Sequence, residues 1–172
     1  MPCDIPAKQY KNMIKNFQSS NKLCDKDNNE IVPAVLSKND GQDLFLWAIA
    51  ADDPETIVTF PSISPDEYHP CESGKRFYAN GSKRITNMIH HNYLVQGRPV
   101  ICAGESGTKR GKRWISNKSG HYSPDNDCLT YAKCLFESKG IPIDILVGMK
   151  GGNNKTIRAK SKKGNTRKLR HI

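Results

Sequence analysis

Four side chains that could bind or polarise a substrate lie between residues 85 and 124: His90, His91, Glu105 and His121. A carboxylate such as that of Glu105 can stabilise positive charge that develops in a transition state. Histidines in the same site could contact a ribose or a phosphate. These side chains can act together only if the surrounding elements bring them to one place.

A short apolar run between Gly97 and Gly104 predicts a buried strand, because Val100 and Ile101 favour strands and the two glycines bound the run. His90 and His91 precede this strand, and Glu105 follows its end. Adjacent strand residues point to opposite faces, so only one of the two histidines can serve a given site unless the strand ends before them. The structural alternatives are one core and one surface histidine, and a Glu105 carboxylate that is simply exposed in a loop.

A second short strand is predicted near residues 112–116, and it delivers Ser119, Gly120, His121 and Tyr122 into a turn. A helix is predicted to begin directly after this turn, and a helix N-terminus attracts anions. The corner could therefore hold a phosphate or pyrophosphate, with Ser119 and the amides after Gly120 as donors. The structural alternative is that His121 bonds the turn backbone while Tyr122 packs under the helix.

That helix is expected over residues 123–139. Ser123 suits the N-cap, Pro124 suits the first helical position, and Gly140 ends the helix. The apolar face would consist of Cys128, Leu129, Ala132, Leu135 and Phe136. A strand over residues 143–149 follows.

The rest of the chain predicts a small sheet with helices packed on it. Residues 7–18 have the apolar spacing of an amphipathic helix, residues 55–63 alternate as in a strand, and residues 43–50 fit a short helix or a buried strand. The pair Asn80-Gly81 predicts a hairpin that returns towards the two histidines. The expected fold class is α+β, with a small, mostly antiparallel sheet packed by a few helices.

The formal net charge of +10 is concentrated at the end of the chain. Residues 150–172 hold nine Lys or Arg and no acid, and subtracting nine from +10 leaves +1 for residues 1–149. We therefore predict a single domain over residues 1–150 and a basic, flexible tail over residues 151–172. Such a tail could also be an electrostatic handle for nucleic acid or for an acidic protein.

The six cysteines are expected to be free thiols in a reducing compartment. No Cys-x-x-Cys pair occurs, so a structural zinc site is not expected, and nothing in the spacing requires disulfides. No apolar run approaches the roughly 20 residues that cross a bilayer, and the N-terminus lacks the apolar segment of a signal peptide. The expected protein is a monomer that is cytoplasmic, or is secreted into a host cell without a cleaved signal.

Two motifs resemble a known module. Residues 90–105 read His-His-x-x-Leu-x-x-Gly-x-x-Val-x-x-Ala-Gly-Glu, and residues 119–124 read Ser-Gly-His-Tyr-Ser-Pro. Both are similar to motifs of plant calmodulin-binding proteins named for their IQ motif and of bacterial toxin and effector domains, over roughly residues 75–150. The plant proteins' Ile-Gln-x-x-x-Arg-Gly site is missing here, and Ser123 replaces a basic residue, so calmodulin binding is not carried over.

Some effectors of this group are similar to mono-ADP-ribosyltransferases, so the resemblance implies transfer of ADP-ribose from NAD to a protein target, for example in a host cell. Such enzymes use a histidine or arginine, an aromatic or Ser-Thr-Ser element and a late glutamate, an order that cannot be matched here residue by residue. The implied catalytic residues are Glu105, His121 and Tyr122, and the implied NAD-binding residues are His90, His91, Ser119 and Gly120. Tyr93 and Glu137 are alternative candidates, and no metal is implied.

Two other functions are compatible with the residues. A non-catalytic module could bind a protein through the corner at residues 119–122, with the basic tail adding affinity. The tail could instead bind nucleic acid, although the rest of the chain lacks a basic surface interleaved with aromatic residues.

Overall fold

The computed structural model of the chain describes residues 3–11, 23–37, 45–61, 68–71, 91–120, 122–150 and 153–158. Within these residues the strands are β1 (Leu23–Asp25), β2 (Ala34–Val35), β3 (Phe45–Ala50), β4 (Val58–Pro61), β5 (Tyr68–Pro70), β6 (Val100–Lys109), β7 (Lys112–Ser116), β8 (Ile145–Lys150) and β9 (Asn153–Arg158). The helices are α1 (His91–Val95) and α2 (Cys128–Ser138). The α+β fold class is confirmed.

Seven of the strands form one sheet in the order β2-β4-β3-β6-β7-β8-β9, and β1 pairs with β5 in a separate two-stranded sheet. Every neighbouring pair in the large sheet is antiparallel except β7 and β8. Parallel strands need a crossover connection, and α2 provides it between β7 and β8. The expectation of a mostly antiparallel sheet is therefore confirmed.

The described residues place a helix on each face of this sheet. The rings of Phe45 and Trp47 lie 6.5 and 5.4 Å from the ring of Phe136 in α2. Phe60 lies on the opposite face, because its partner in β3 is the residue between Phe45 and Trp47. There it meets Tyr93 of α1 edge to face, with ring centroids 5.6 Å apart. Each such buried aromatic side chain stabilises the fold by about 1.5–3 kcal/mol.

The central strands agree with the apolar patterns that predicted them. Residues 43–50, which fitted a short helix or a strand, contain β3, and five of its six residues are buried. The strand expected over residues 55–63 is β4, and the strand expected near residues 112–116 is β7. The hairpin expected around Asn80-Gly81 lies outside the described residues.

Helix α2 buries the expected apolar face but begins at Cys128 rather than at Ser123. Ser123 has a φ of 43° and lies five residues before the first residue of α2, so it is not the N-cap. Its N–H donates to the Ser119 carbonyl at 2.8 Å and closes one isolated turn. Asp127 takes the N-cap position without a side-chain hydrogen bond. The C-terminal prediction is confirmed, because Gly140 follows the helix with a φ of 85°.

The helix expected over residues 7–18 is wrong for its first part. Residues 7–11 are not helical, and Tyr10 forms an antiparallel bridge with Val100. The two N–H to carbonyl bonds of this bridge are 2.9 and 3.0 Å long. Pairing with the start of β6 therefore overrides the helical spacing, and the part from residue 12 to residue 18 lies outside the described residues.

The expectation of free thiols is wrong, because all six cysteines are paired. The disulfides join Cys3 to Cys134, Cys24 to Cys71, and Cys102 to Cys128. Their Cα–Cα distances of 5.8, 5.0 and 5.5 Å lie within the range that a disulfide spans. The paired cysteines are 131, 47 and 26 residues apart, so only the tertiary fold brings them together.

The tail predicted from residue 151 includes a strand. Residues 153–158 form β9, which pairs antiparallel with β8 over six residue pairs. Domain and tail therefore do not separate at residue 150.

A chain that ends at Lys150 is expected to unfold more easily than a chain that ends at Arg158. The shorter chain loses the β8–β9 ladder and leaves β8 as an edge strand. Cross-strand pairs contribute about 0.2–1 kcal/mol each, so the loss of six pairs should lower the free energy of unfolding by about 1–6 kcal/mol. Urea unfolding of the two chains measures the difference. Identical midpoints and slopes would show that β9 adds nothing to stability.

Candidate functional site

The sequence predicted that Glu105 lies just past the end of a strand. In the structure, Glu105 lies in the middle of β6. β6 continues to Lys109 because it pairs with β7 across a tight turn. Gly104 is paired with Trp47, so it shares the face covered by α2. Glu105 is the next residue and therefore points to the α1 face. Its side chain is 29% exposed, which leaves the carboxylate partly open to solvent.

An aromatic ring that the sequence analysis missed lies on the same sheet face as this carboxylate. Trp114 pairs with Gly107, which shares the face of Glu105 and lies two residues further along β6. A methyl group added to Gly107 would come within 2.6 Å of the indole, so the ring lies directly over this glycine. The turn at Arg110-Gly111 was the available signal, because a two-residue hairpin turn makes Gly107 and Trp114 opposite.

Ser116 and Lys118 complete the same neighbourhood. Ser116 is the partner of Glu105 in β7, and its Oγ accepts bonds from the N–H groups of Glu105 and Lys118 at 3.3 and 3.4 Å. The Lys118 ammonium lies 4.0 Å from the Glu105 carboxylate and is 60% exposed. We call Glu105, Trp114, Ser116 and Lys118 the Glu105 face. It presents an anion, a cation and a flat ring, whereas the Ser116 hydroxyl is buried and bonds the backbone of Glu105 and Lys118.

His91 supports this face from inside the protein. It was expected at the end of a strand, but it is the first residue of α1 and is buried. Its Nε2 lies 2.7 Å from the carbonyl oxygen of Gly104, the residue before Glu105. His91 therefore contacts the backbone that carries the carboxylate. His90 lies outside the described residues.

The turn at residues 119–122 has mainly structural contacts. Ser119 is buried, and its Oγ accepts the Tyr122 N–H at 3.3 Å, while Gly120 is exposed. Tyr122 is buried, and its hydroxyl donates to the Arg98 carbonyl at 2.7 Å. Burial raises the pKa of Tyr122 far above its usual range, so the phenol stays neutral. His121 belongs to the residues that the structure does not describe.

The structure thus brings only some of the proposed site residues together. Glu105 and His91 meet through Gly104, whereas Tyr122 turns its hydroxyl to the loop before β6. The residues from 123 to 127 separate the turn from α2, so this turn does not lie directly at the helix N-terminus. The basis for a pyrophosphate site at that corner is therefore lost, and the packing alternative for Tyr122 agrees with its burial.

Asn117 is a further residue that the sequence analysis missed. It is fully buried, and its Nδ2 donates to the Pro124 carbonyl at 2.7 Å and to Asn126 Oδ1 at 3.0 Å. Its Oδ1 accepts the Met149 N–H at 2.7 Å. One side chain therefore joins the end of β7, the loop before α2 and the end of β8. It holds Ser116 and Lys118 in place beside Glu105.

Among the described residues, no cluster of three or more His, Cys, Asp or Glu side chains could hold a metal ion. None of the helices described is long and apolar enough to cross a membrane. No protein-family model, curated protein or solved structure matches this chain. The Glu105 face is therefore the basis on which a function can be argued.

Proposed function

We propose that the chain is a mono-ADP-ribosyltransferase that uses the Glu105 face to transfer ADP-ribose from NAD to a protein. The observation that carries the proposal is a partly exposed carboxylate on a central strand, 4.0 Å from a cation and on the same sheet face as an aromatic ring. Two motifs around Glu105 also resemble effectors similar to such enzymes.

The reaction needs a carboxylate at the point where positive charge develops. The bond between ribose C1′ and the nicotinamide nitrogen breaks, and its electron pair leaves with nicotinamide. The ribose then has oxocarbenium character, which the Glu105 carboxylate stabilises. A nucleophilic side chain of the target attacks C1′ and releases its proton to solvent. Glu105 also accepts a hydrogen bond from a ribose hydroxyl and so orients the sugar.

The other members of the Glu105 face fit the remaining parts of NAD. The indole of Trp114 offers a flat surface for an aromatic base or nicotinamide. The exposed Lys118 ammonium can approach the pyrophosphate, which carries the negative charge of the substrate. Trp114 takes the place of the aromatic residue for which the resemblance implied Tyr122, whose side chain is buried.

The disulfides support a location outside the reducing cytoplasm. The chain has three disulfides. Disulfides persist in oxidising environments, such as the extracellular space, and are rare in cytosolic proteins. We therefore propose that the chain folds and acts after export, and that its target lies in or reaches the same compartment. The cytoplasmic alternative is not carried forward.

The test incubates the purified, disulfide-intact chain with labelled NAD and an extract of candidate target proteins. Transfer of label to a discrete protein band is expected, together with release of nicotinamide. A parallel titration follows tryptophan fluorescence, since Trp47 is buried and Trp114 is partly exposed. NAD should quench the emission, and Trp114→Leu should remove the quenching. Quenching without label transfer or nicotinamide release would instead favour the non-catalytic binding module.

A further inference from the structure

The turn between β6 and β7 presents positive charge on a rigid support. We call Lys109, Arg110, Lys112 and Arg113 the basic hairpin. Arg110 and Gly111 have φ values of 52° and 73°, the left-handed backbone of a tight hairpin turn that matches the twist of its strands. The first three cations are exposed, so the turn holds them in solvent in a fixed arrangement.

The pairing of the strands places like charges against each other. Lys109 is directly opposite Lys112, and Thr108 is opposite Arg113. Directly opposed like charges destabilise a hairpin, and their Cβ atoms lie only about 4.5–5.5 Å apart. Stability of the fold gives no reason for this arrangement. An anion bound between the two lysines would remove the repulsion.

Few acidic groups oppose these charges within the described part of the chain. Arg113 bonds Ser106 Oγ at 3.1 Å and lies over the Phe45 ring, so it faces the interior. Asp144 accepts the Arg113 backbone N–H at 2.9 Å and is exposed. In that same part of the chain, no ion pair holds Lys109, Arg110 or Lys112. Three cations are thus available to a partner.

We propose that the basic hairpin is a docking surface for a sulfated polysaccharide. A single small anion cannot contact all three exposed cations of the basic hairpin. A flexible sugar chain carries several sulfate groups, and each group can contact a different cation. The tip residues Thr108 to Lys112 include no aromatic side chain, and the ring of Trp114, further along the same face, lies over Gly107 in the Glu105 face. The hairpin tip therefore lacks the row of rings on which successive nucleic-acid bases stack. The export proposed above from the three disulfides would bring the protein to the extracellular space, where sulfated glycans are available.

The test measures binding of a fluorescently labelled heparin dodecasaccharide by anisotropy over a range of salt concentrations. The variant Lys109→Thr/Arg110→Asn removes two charges, and asparagine tolerates the left-handed backbone of position 110. Its affinity near physiological salt should fall about tenfold or more, and the slope of log affinity against log salt should decrease by about two.

The control Lys11→Thr/Lys26→Thr has the same net charge and changes two exposed lysines outside the hairpin. It should bind almost as the parent does. Equal losses in both variants would overturn the proposal, because net charge alone would then explain binding. If the double variant unfolds, the single variant Lys112→Thr is compared with the single control Lys11→Thr, which has the same net charge.

A second arm replaces the oligosaccharide with a duplex DNA of equal total charge. The expected result is weaker binding of the duplex by at least about tenfold. Equal or tighter binding of the duplex would overturn the assignment to a glycan and make nucleic acid the partner. Absence of binding to both polyanions would also overturn the proposal.

Discussion

Glu105→Gln is expected to lower the rate of ADP-ribose transfer by about 100-fold or more, the effect of losing one electrostatic stabiliser of a transition state. The substitution keeps the size of the side chain but removes the negative charge that, in the proposed mechanism, stabilises the ribosyl cation. The loss should appear in kcat, because the charge is needed when the glycosidic bond breaks. NAD affinity, measured by tryptophan quenching, should change little.

The matched control is Glu137→Gln, the same chemical change at the other glutamate considered for the site. Glu137 is exposed on α2 and forms an ion pair with Lys133, so it belongs to the helix surface. Transfer by this variant should equal that of the parent. Full activity of Glu105→Gln, or a loss shared equally by both variants, would exclude the Glu105 carboxylate as the stabilising group.

Gly104→Ala should reduce the free energy of unfolding by more than about 4 kcal/mol, a size reserved for severe overpacking or strain. The added methyl group would lie 1.5 Å from the carbonyl oxygen of Ser116 and 2.9 Å from the Cα atom of Asn117. Those atoms belong to the backbone, and Asn117 is held by buried hydrogen bonds. The backbone therefore cannot move aside without separating β6 from β7.

Gly120→Ala provides the comparison, because a methyl group there meets no atom within 4 Å. Its free energy of unfolding should stay within about 0.5 kcal/mol of the parent, as for most surface substitutions. Urea unfolding followed by circular dichroism measures both variants. If Gly104→Ala unfolded at the same urea concentration as Gly120→Ala, the close approach of the two strands would be disproved.

Elements with a clear apolar period could be predicted from the sequence. Local patterns predicted the buried face of α2, its end before Gly140, and strands β4 and β7, and the structure contains all of them. The start of α2 could not be predicted, because Ser123 and Pro124 provide a strong local signal that a competing turn overrides. The bond from the Ser123 N–H to the Ser119 carbonyl takes that serine out of the cap position.

The candidate site is formed by contacts between residues on different elements, and a local sequence pattern does not predict such contacts. Glu105 was proposed from the sequence, but its neighbours Trp114 and Lys118 follow from the register of β6 with β7 and from the position of Lys118 beyond the end of β7. His91 was expected to contact the substrate, whereas the fold places it behind Gly104. The disulfides depend on the tertiary fold in the same way.

The disulfides define two units of the chain, one before residue 72 and one after residue 90. Each unit contains one internal disulfide, and a third disulfide joins the two units. The bridges are Cys24–Cys71 in the first unit, Cys102–Cys128 in the second, and Cys3–Cys134 between them. A protease that cut once between residues 72 and 90 would therefore produce two polypeptides tied by a single bond. The pairing of β3 with β6 spans the same division and would hold the pieces in register. Release of one polypeptide from the other would require reduction and unfolding after the cut.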